Sequence, residues 1–175
     1  MDRRPTLSLN EYAVLGLLVE TPRHGYDIAV ELGPDSGIGT VWTVTRPLVY
    51  RALDRLDALG LVEPRRREPG HGPRRTVYGP TRRGRAALGR WLGTPVDHLR
   101  DVRGALLLKL VLGRRLGVDA DPLVAAQLDA LGPHLARLAL EPDPRDVVAL
   151  WRHHSALAVR AFLDDLHGGP QGSAP

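Results

Sequence analysis

Thr45-Arg46-Pro47-Leu48-Val49-Tyr50-Arg51-Ala52-Leu53-Asp54-Arg55-Leu56-Asp57-Ala58-Leu59-Gly60-Leu61-Val62 is the stretch on which the reading of the fold turns. Val49, Ala52, Leu53, Leu56 and Leu59 recur at helical spacing and form one apolar stripe, with Arg51, Asp54, Arg55 and Ala58 on the opposite face. Thr45 is a candidate N-cap, Pro47 fits a first helical turn, and Gly60 suits the position just past a helix end. Two strand patterns follow, about Leu61–Arg67 and Arg74–Tyr78. The turn formers Glu68-Pro69-Gly70-His71-Gly72-Pro73 lie between them. A helix therefore runs straight into an arginine-rich hairpin.

Upstream, Ser8-Leu9-Asn10-Glu11 reads as a capping box, and Tyr12, Leu15, Leu18 and Val19 continue at helical spacing to Thr21-Pro22. A second, short helix starts at about His24, turns Ile28, Ala29 and Leu32 inward and ends at Gly33-Pro34. Residues 33–40 are a loop by composition. Downstream, Thr81 caps a fourth helix reaching about Leu92, with Ala87, Leu88, Trp91 and Leu92 available for packing. The order helix, helix, helix, strand, strand, helix is that of a winged helix-turn-helix. Its third helix, wing and exit helix are the surfaces such a fold offers to DNA.

Beyond Thr94-Pro95 the composition changes, and three helical segments are expected at about 97–116, 121–140 and 144–167. In the second, Val124, Leu128, Leu131, Leu135 and Leu138 follow a coiled-coil-like spacing, and Gly132-Pro133 predicts a kink or break. The third carries Val147, Leu150, Trp151, His154, Leu157, Ala158, Ala161 and Phe162 as an apolar stripe. Leu106 to Leu112 and the 124–138 seam hold more apolar surface than three isolated helices can hide, which predicts an obligate homodimer whose interface buries these segments. The expected fold class is mainly α with a small β-hairpin wing. Residues 7–94 form the DNA-binding domain, 95–167 a helical dimerisation and effector region, and 168–175 a disordered tail. No internal repeat is visible.

Composition narrows the function classes. A chain of 175 residues with 43% hydrophobic content is one domain, or a small domain with a helical appendage. With no cysteine, disulfide scaffolds, zinc fingers, Fe–S clusters and thiol nucleophiles are excluded together. The N-terminus lacks the apolar stretch of a signal peptide, and the most apolar segment, 105–113, is interrupted by Lys109. A soluble, cytoplasmic protein without a membrane partner is expected. Of 24 basic residues only Lys109 is a lysine. Residues 1–95 carry a net charge of +5 and residues 96–175 a net of −1, while the window 46–90 holds 12 arginines against 4 acids, net +8. Positive charge concentrated on the third helix, wing and exit helix calls for an anionic partner.

At this point the residues resemble the PadR family of bacterial transcriptional regulators over most of 7–92. The marks are Leu15-Gly16-Leu17-Leu18, His24-Gly25-Tyr26-Asp27-Ile28, Tyr50-Arg51-Ala52-Leu53 with Leu56, Gly60-Leu61-Val62, Val77-Tyr78, Thr81-Arg82-Arg83-Gly84 and Trp91. Each is weak alone; the ordered set is specific. The resemblance implies a dimeric repressor with a C-terminal helical dimerisation region, often relieved by a small molecule.

The candidate DNA contacts are Thr45, Arg46, Tyr50, Arg51 and Arg55 on the third helix, with Arg65, Arg66, Arg67, Arg74 and Arg75 on the wing. Arginine suits bidentate contact with guanine or phosphate, and in alternating strands the wing arginines cannot all point one way. Trp91, Trp151 and His154 are candidates for binding a small aromatic or drug-like effector. His153-His154 lacks a second His at i+3 or i+4 and nearby carboxylates at ligand spacing, so no metal is expected. No cofactor is expected either. No nucleophile elbow, P-loop or dinucleotide-binding glycine motif occurs, which argues against an enzyme. Two rival readings stay open. One is a winged-helix module for protein–protein assembly; the other is a small-molecule binder using the helical region alone.

Overall fold

The computed structural model describes residues 6–70 and 72–168, without the side chains of 66–70 and 72–75. The chain packs as two compact units. The first runs through Leu92 and takes in Leu107–Val118; the second holds Gly93–Leu106 and the chain from Asp119 on.

In the first unit, α1 (Leu9–Glu20) starts at the capping box: the Ser8 N–H donates to Glu11 Oε2 at 2.8 Å and the Glu11 N–H donates to Ser8 Oγ at 3.4 Å. Ala13 to Leu18 are all buried, so α1 is the central helix and not an amphipathic one with a single inward stripe. Helix α2 (Gly25–Glu31) and helix α3 (Arg46–Ala58) complete the helical core of this unit. Thr45 occupies the N-cap of α3 without a side-chain capping bond, Pro47 sits in the first turn, and Gly60 takes a φ of 65° just past the end. The loop between α2 and α3 contributes to the core, since Ile38 is fully buried.

Strands β2 (Val62–Gly70) and β3 (Gly72–Pro80) form the hairpin, longer than expected at both inner ends. The turn formers of 68–73 are largely taken into the ladder: Glu68 pairs with Arg75 and Gly70 with Gly72, and a register irregularity at Pro69 absorbs the missing N–H. His71 lies outside the described residues. A third strand is not foreseen by the sequence pattern: β1 (Arg23–His24) pairs antiparallel with β3 through Arg23–Tyr78 and His24–Val77, giving the sheet order β1-β3-β2. The Thr81 hydroxyl accepts the Gly84 N–H at 3.1 Å and starts α4 (Arg82–Leu92).

The segment expected as one helix over 97–116 is divided. A 3₁₀ turn (Leu99–Asp101) and a π-helical stretch (Val102–Leu106) belong to the second unit, and α5 (Leu107–Arg115) returns to the first. Leu108 and Leu112 of α5 complete the core around α1. Gly16 makes this approach feasible, because a Cβ there would lie 2.7 Å from Leu112 Cδ1. The expected single boundary at 94/95 therefore differs from the observed packing, in which the chain crosses between units more than once.

The second unit is built on α6 (Asp121–Leu138) and α7 (Val147–Gly168). Leu123, Val124, Leu131 and Leu135 of α6 are buried. The Gln127 amide holds Val96 from both sides, accepting its N–H at 2.8 Å and donating to its carbonyl at 2.9 Å. The expected break at Gly132-Pro133 is not seen: α6 runs through Pro133. Pro133 sits on the outer face of α6 and Asp129 is exposed, so water can satisfy the carbonyl the proline leaves unpaired. The apolar stripe of α7 is largely exposed. The residues this unit buries are Ala156 and Leu163, while Val147, Trp151, His154, Leu157, Ala158 and Ala161 are exposed. At 100° per residue the stripe lies away from the packed face. Residues 169–175, most of the expected tail, lie outside the described residues, and Gly168 closes α7.

Candidate nucleic-acid interface

Helix α3 is held by Val49, Ala52, Leu53 and Leu56, all buried, and this fixes which face is outward. Thr45, Arg46, Tyr50, Arg51 and Arg55 are all exposed, as the stripe requires. Their side chains are not equivalent. Arg55 turns back to the start of α1, where its Nε stands 3.0 Å from Glu11 Oε1, a carboxylate already engaged in the capping box. Arg51 makes no ion pair or hydrogen bond among the described residues, so its guanidinium is uncommitted. Arg46 stands in the first turn of α3, its Cζ 5.5 Å from the centre of the Tyr26 ring and 5.9 Å from that of Tyr50.

On the wing, Arg65 occupies the irregularity between Pro64 and Arg66. Its guanidinium is 3.0 Å from Glu63 Oε1 and donates to the Pro80 carbonyl at 3.0 Å, so it is held against the base of the hairpin. The side chains of Arg66, Arg67, Arg74 and Arg75 lie outside the described residues; their backbones are strand. Helix α4 adds Arg82, Arg83, Arg85 and Arg90, all exposed. These four fall within the basic window, but the sequence pattern does not single them out as contacts. Tyr26 enters the sequence reading only as part of the His24-Gly25-Tyr26-Asp27-Ile28 mark and not as a site residue, although an exposed aromatic in the helix before α3 is a usable signal.

The effector candidates fall in different units. In the first, Trp91 stacks on Tyr12 with ring centres 4.2 Å apart and planes 9° from parallel, and the buried Lys109 ammonium stands 5.1 Å from the Trp91 ring centre. Burial pushes the Tyr12 phenol above its ordinary pKa, and the positive charge of Arg90 pulls it part of the way back. In the second unit, Trp151 is 72% exposed and His154 is exposed beside His153 on α7. Among the described residues no three His, Asp or Glu side chains stand together as a metal site, and no helix is long and apolar enough to cross a membrane.

A second charged cluster fastens α5 to the first unit. The Arg115 guanidinium makes two 2.8 Å bonds to Glu20 and a third, at 3.2 Å, to Glu31, while Arg23 joins Glu20 at 2.9 Å. The hydrogen bond from Arg115 is the main cause of a Glu20 carboxyl held below its usual range, and the same bonds raise the pKa of Arg115.

Residues 14–90 match the transcriptional regulator PadR-like family. A probable transcriptional regulator of Mycobacterium tuberculosis is 32% identical over 96 residues, which is 55% of this chain and 50% of that protein. The match thus spans about half the length of that relative. Among solved structures, PadR of Bacillus subtilis in complex with operator DNA is 20% identical with a TM-score of 0.49, over 92% of this chain and 98% of that one. The virulence activator AphA of Vibrio cholerae is 25% identical with a TM-score of 0.41, over 92% and 96%. PadR of Bacillus subtilis has also been solved with p-coumaric acid, at 20% identity and a TM-score of 0.46 over 92% of this chain and 98% of that one. The stretch that matches the PadR-like family, residues 14–90, holds α3, the hairpin and nearly all of α4.

Proposed function

We propose that the chain acts in the cytoplasm as a homodimeric transcriptional regulator, binding an inverted-repeat operator as a repressor and released by a small aromatic or drug-like effector. One observation carries the DNA-binding part: the outward face of α3 presents Arg46 and an uncommitted Arg51, in a PadR-like domain whose 46–90 window has a net charge of +8. Arg51 and Arg46 read base edges, and Thr45 and Tyr50 assist. Arg66, Arg67, Arg74 and Arg75 bind phosphate, and the weakest candidates are Arg65, held by Glu63 and the Pro80 carbonyl, and Arg55, which Glu11 already engages.

The segments expected to form the dimer interface, Leu106 to Leu112 and the 124–138 seam, are largely buried within the chain itself. The dimer is supported instead by the apolar stripe that α7 leaves in water: Val147 is 76% exposed and Trp151 72%, far more than a stable single chain needs to leave uncovered. A dimer on an inverted repeat holds its two copies of α3 about one DNA turn, roughly 34 Å, apart. An effector on Trp91, Trp151 or His154 that favours a different separation releases the operator by shifting the population.

A salt titration tests the reading. Six phosphate contacts lower affinity for duplex DNA about a thousandfold between 50 and 200 mM salt. A flat salt dependence, or no affinity for duplex DNA at low salt, favours the protein–protein module instead.

A further inference from the structure

We infer that Tyr26 is a positioning residue for sequence readout: with Tyr50 it forms a two-ring cradle that holds Arg46 of the recognition helix toward DNA. The inference rests on the DNA-binding function proposed above and adds a residue outside the recognition helix and wing.

Arg46 and Tyr50 are one turn apart on α3, so their side chains share a face. Tyr26 arrives from another element, as the second residue of α2. The Arg46 guanidinium carbon lies 5.5 Å from one ring centre and 5.9 Å from the other, within the range at which a ring face attracts a cation. Both rings remain open to solvent, Tyr26 at 48% exposure and Tyr50 at 40%, so the cradle is on the surface and its cation can still be approached.

The cradle has a rigid wall. A Cβ on Gly25 would lie 2.9 Å from Tyr50 Cε1 and 3.0 Å from Leu53 Cδ1, so the Tyr50 ring rests against the backbone at the start of α2. Any larger residue at 25 would displace the Tyr50 ring and crowd Leu53 Cδ1. The His24-Gly25-Tyr26 run thus places a bare backbone under one ring and supplies the other.

The arrangement answers a specific physical problem. A free arginine loses several rotatable bonds' worth of freedom when a groove immobilises it, and that loss weakens binding. An arginine already confined between two rings loses less. The other arginines of the helix are handled differently: Arg55 is drawn off to Glu11, and Arg51 has no anchor among the described residues. Arg46 alone on this helix is oriented without being neutralised, because an aromatic face attracts its charge but provides no counter-ion.

The test uses the full chain and a duplex selected in vitro by the wild-type protein from a randomised pool, compared with a scrambled duplex of equal length. Each ring contact at an exposed site corresponds to about two- to fivefold in affinity. Tyr26→Leu should therefore weaken the selected duplex about two- to fivefold per half-site and the scrambled one by less than twofold. Tyr26→Phe, which keeps the ring, should stay within twofold of wild type on both. In an Arg46→Ala background Tyr26→Leu should cost nothing further. Circular dichroism and melting establish that each variant is folded. Three results would overturn the inference: unchanged affinity in Tyr26→Leu, an equal loss in Tyr26→Phe, or the same loss with Arg46 already absent. The second would mark the hydroxyl as the contributing group, and the third would show that Tyr26 acts independently of Arg46. Failure of the wild type to select any duplex would instead refute the DNA-binding reading and, with it, this inference.

Discussion

Leu53 and Arg51 are two residues apart on α3, one buried and the other exposed. Leu53 is 1% exposed, with Cδ1 against the Gly25 backbone, inside the core shared by α1, α2 and α3. Leu53→Ala removes three carbons, worth about 2.4 kcal/mol of transfer free energy at about 0.8 kcal/mol each. The cavity left behind raises the loss to about 3–4 kcal/mol. For a compact unit of about 100 residues, each kcal/mol lowers Tm by about 4–8 °C, so the variant should melt at least about 12 °C early. Arg51→Ala removes an exposed side chain with no partner among the described residues, and should change stability by no more than about 0.5 kcal/mol. Its effect belongs on DNA: a loss of about 1–3 kcal/mol per half-site on the selected duplex, relaxed preference at one base pair, and a much smaller loss on random DNA. Circular dichroism melts and fluorescence anisotropy on the same two proteins separate the roles. An Arg51→Ala protein that melts early, or binds its selected duplex unchanged, would mean that the wrong face of α3 has been given to DNA.

Three further outcomes are expected. Arg66→Ala/Arg67→Ala should weaken selected and random duplexes alike and reduce the salt slope by about 0.9 for each phosphate the wing no longer neutralises, with Arg65→Ala adding little because Glu63 and the Pro80 carbonyl hold that side chain. A loss confined to the selected duplex would make the wing a base reader. Glu20 titrates below its ordinary value of 4.5, so the stability it contributes is present above that pH and is lost as pH falls below it. Arg115→Met should flatten this acid limb and cost about 1 kcal/mol at neutral pH, and an acid limb equal to wild type in urea titrations would assign the acid sensitivity elsewhere. Val147→Lys/Trp151→Lys should convert a dimer at micromolar concentration to a folded monomer in sedimentation, and a wild-type protein that is itself a folded monomer there would remove the dimer from the proposal.

What is legible in the sequence is local. The capping box at Ser8 and Glu11, the positive φ at Gly60 and the Thr81 hydroxyl are short-range devices whose partners lie within a few residues, so the starts of α1 and α4 and the end of α3 can be placed from residue types. Strand β1 cannot, because two residues make a strand only when β3, about fifty residues later, supplies the ladder. The return of α5 is equally hidden. An all-apolar run from Leu106 to Leu108 states that burial is needed without stating against what, and the answer lies in the gap that Gly16 leaves in α1. At the interface, residue types locate the arginines but do not rank them. The pairing of Arg55 with Glu11, and of Arg46 with two rings, depends on which helices meet.

Helix α7 shows what periodicity leaves undecided. Its apolar stripe is plain in the sequence, but the second unit buries another side through Ala156 and Leu163. Hydrophobic periodicity reports that a face is removed from water somewhere; it does not distinguish a neighbour in the same chain from a second copy. Ala156 and Leu163 are the α7 residues taken into this unit, whereas Val147 and Trp151 offer large surfaces with no intrachain cover among the described residues. That uncovered surface is the ground on which the proposed assembly rests. It also sets the demand on any effector at Trp151 or His154: a ligand there must either compete with the second chain or be enclosed by it. Measuring dimer dissociation with and without a bound aromatic ligand would separate the two, since a competitor raises the dissociation constant and an enclosed ligand lowers it.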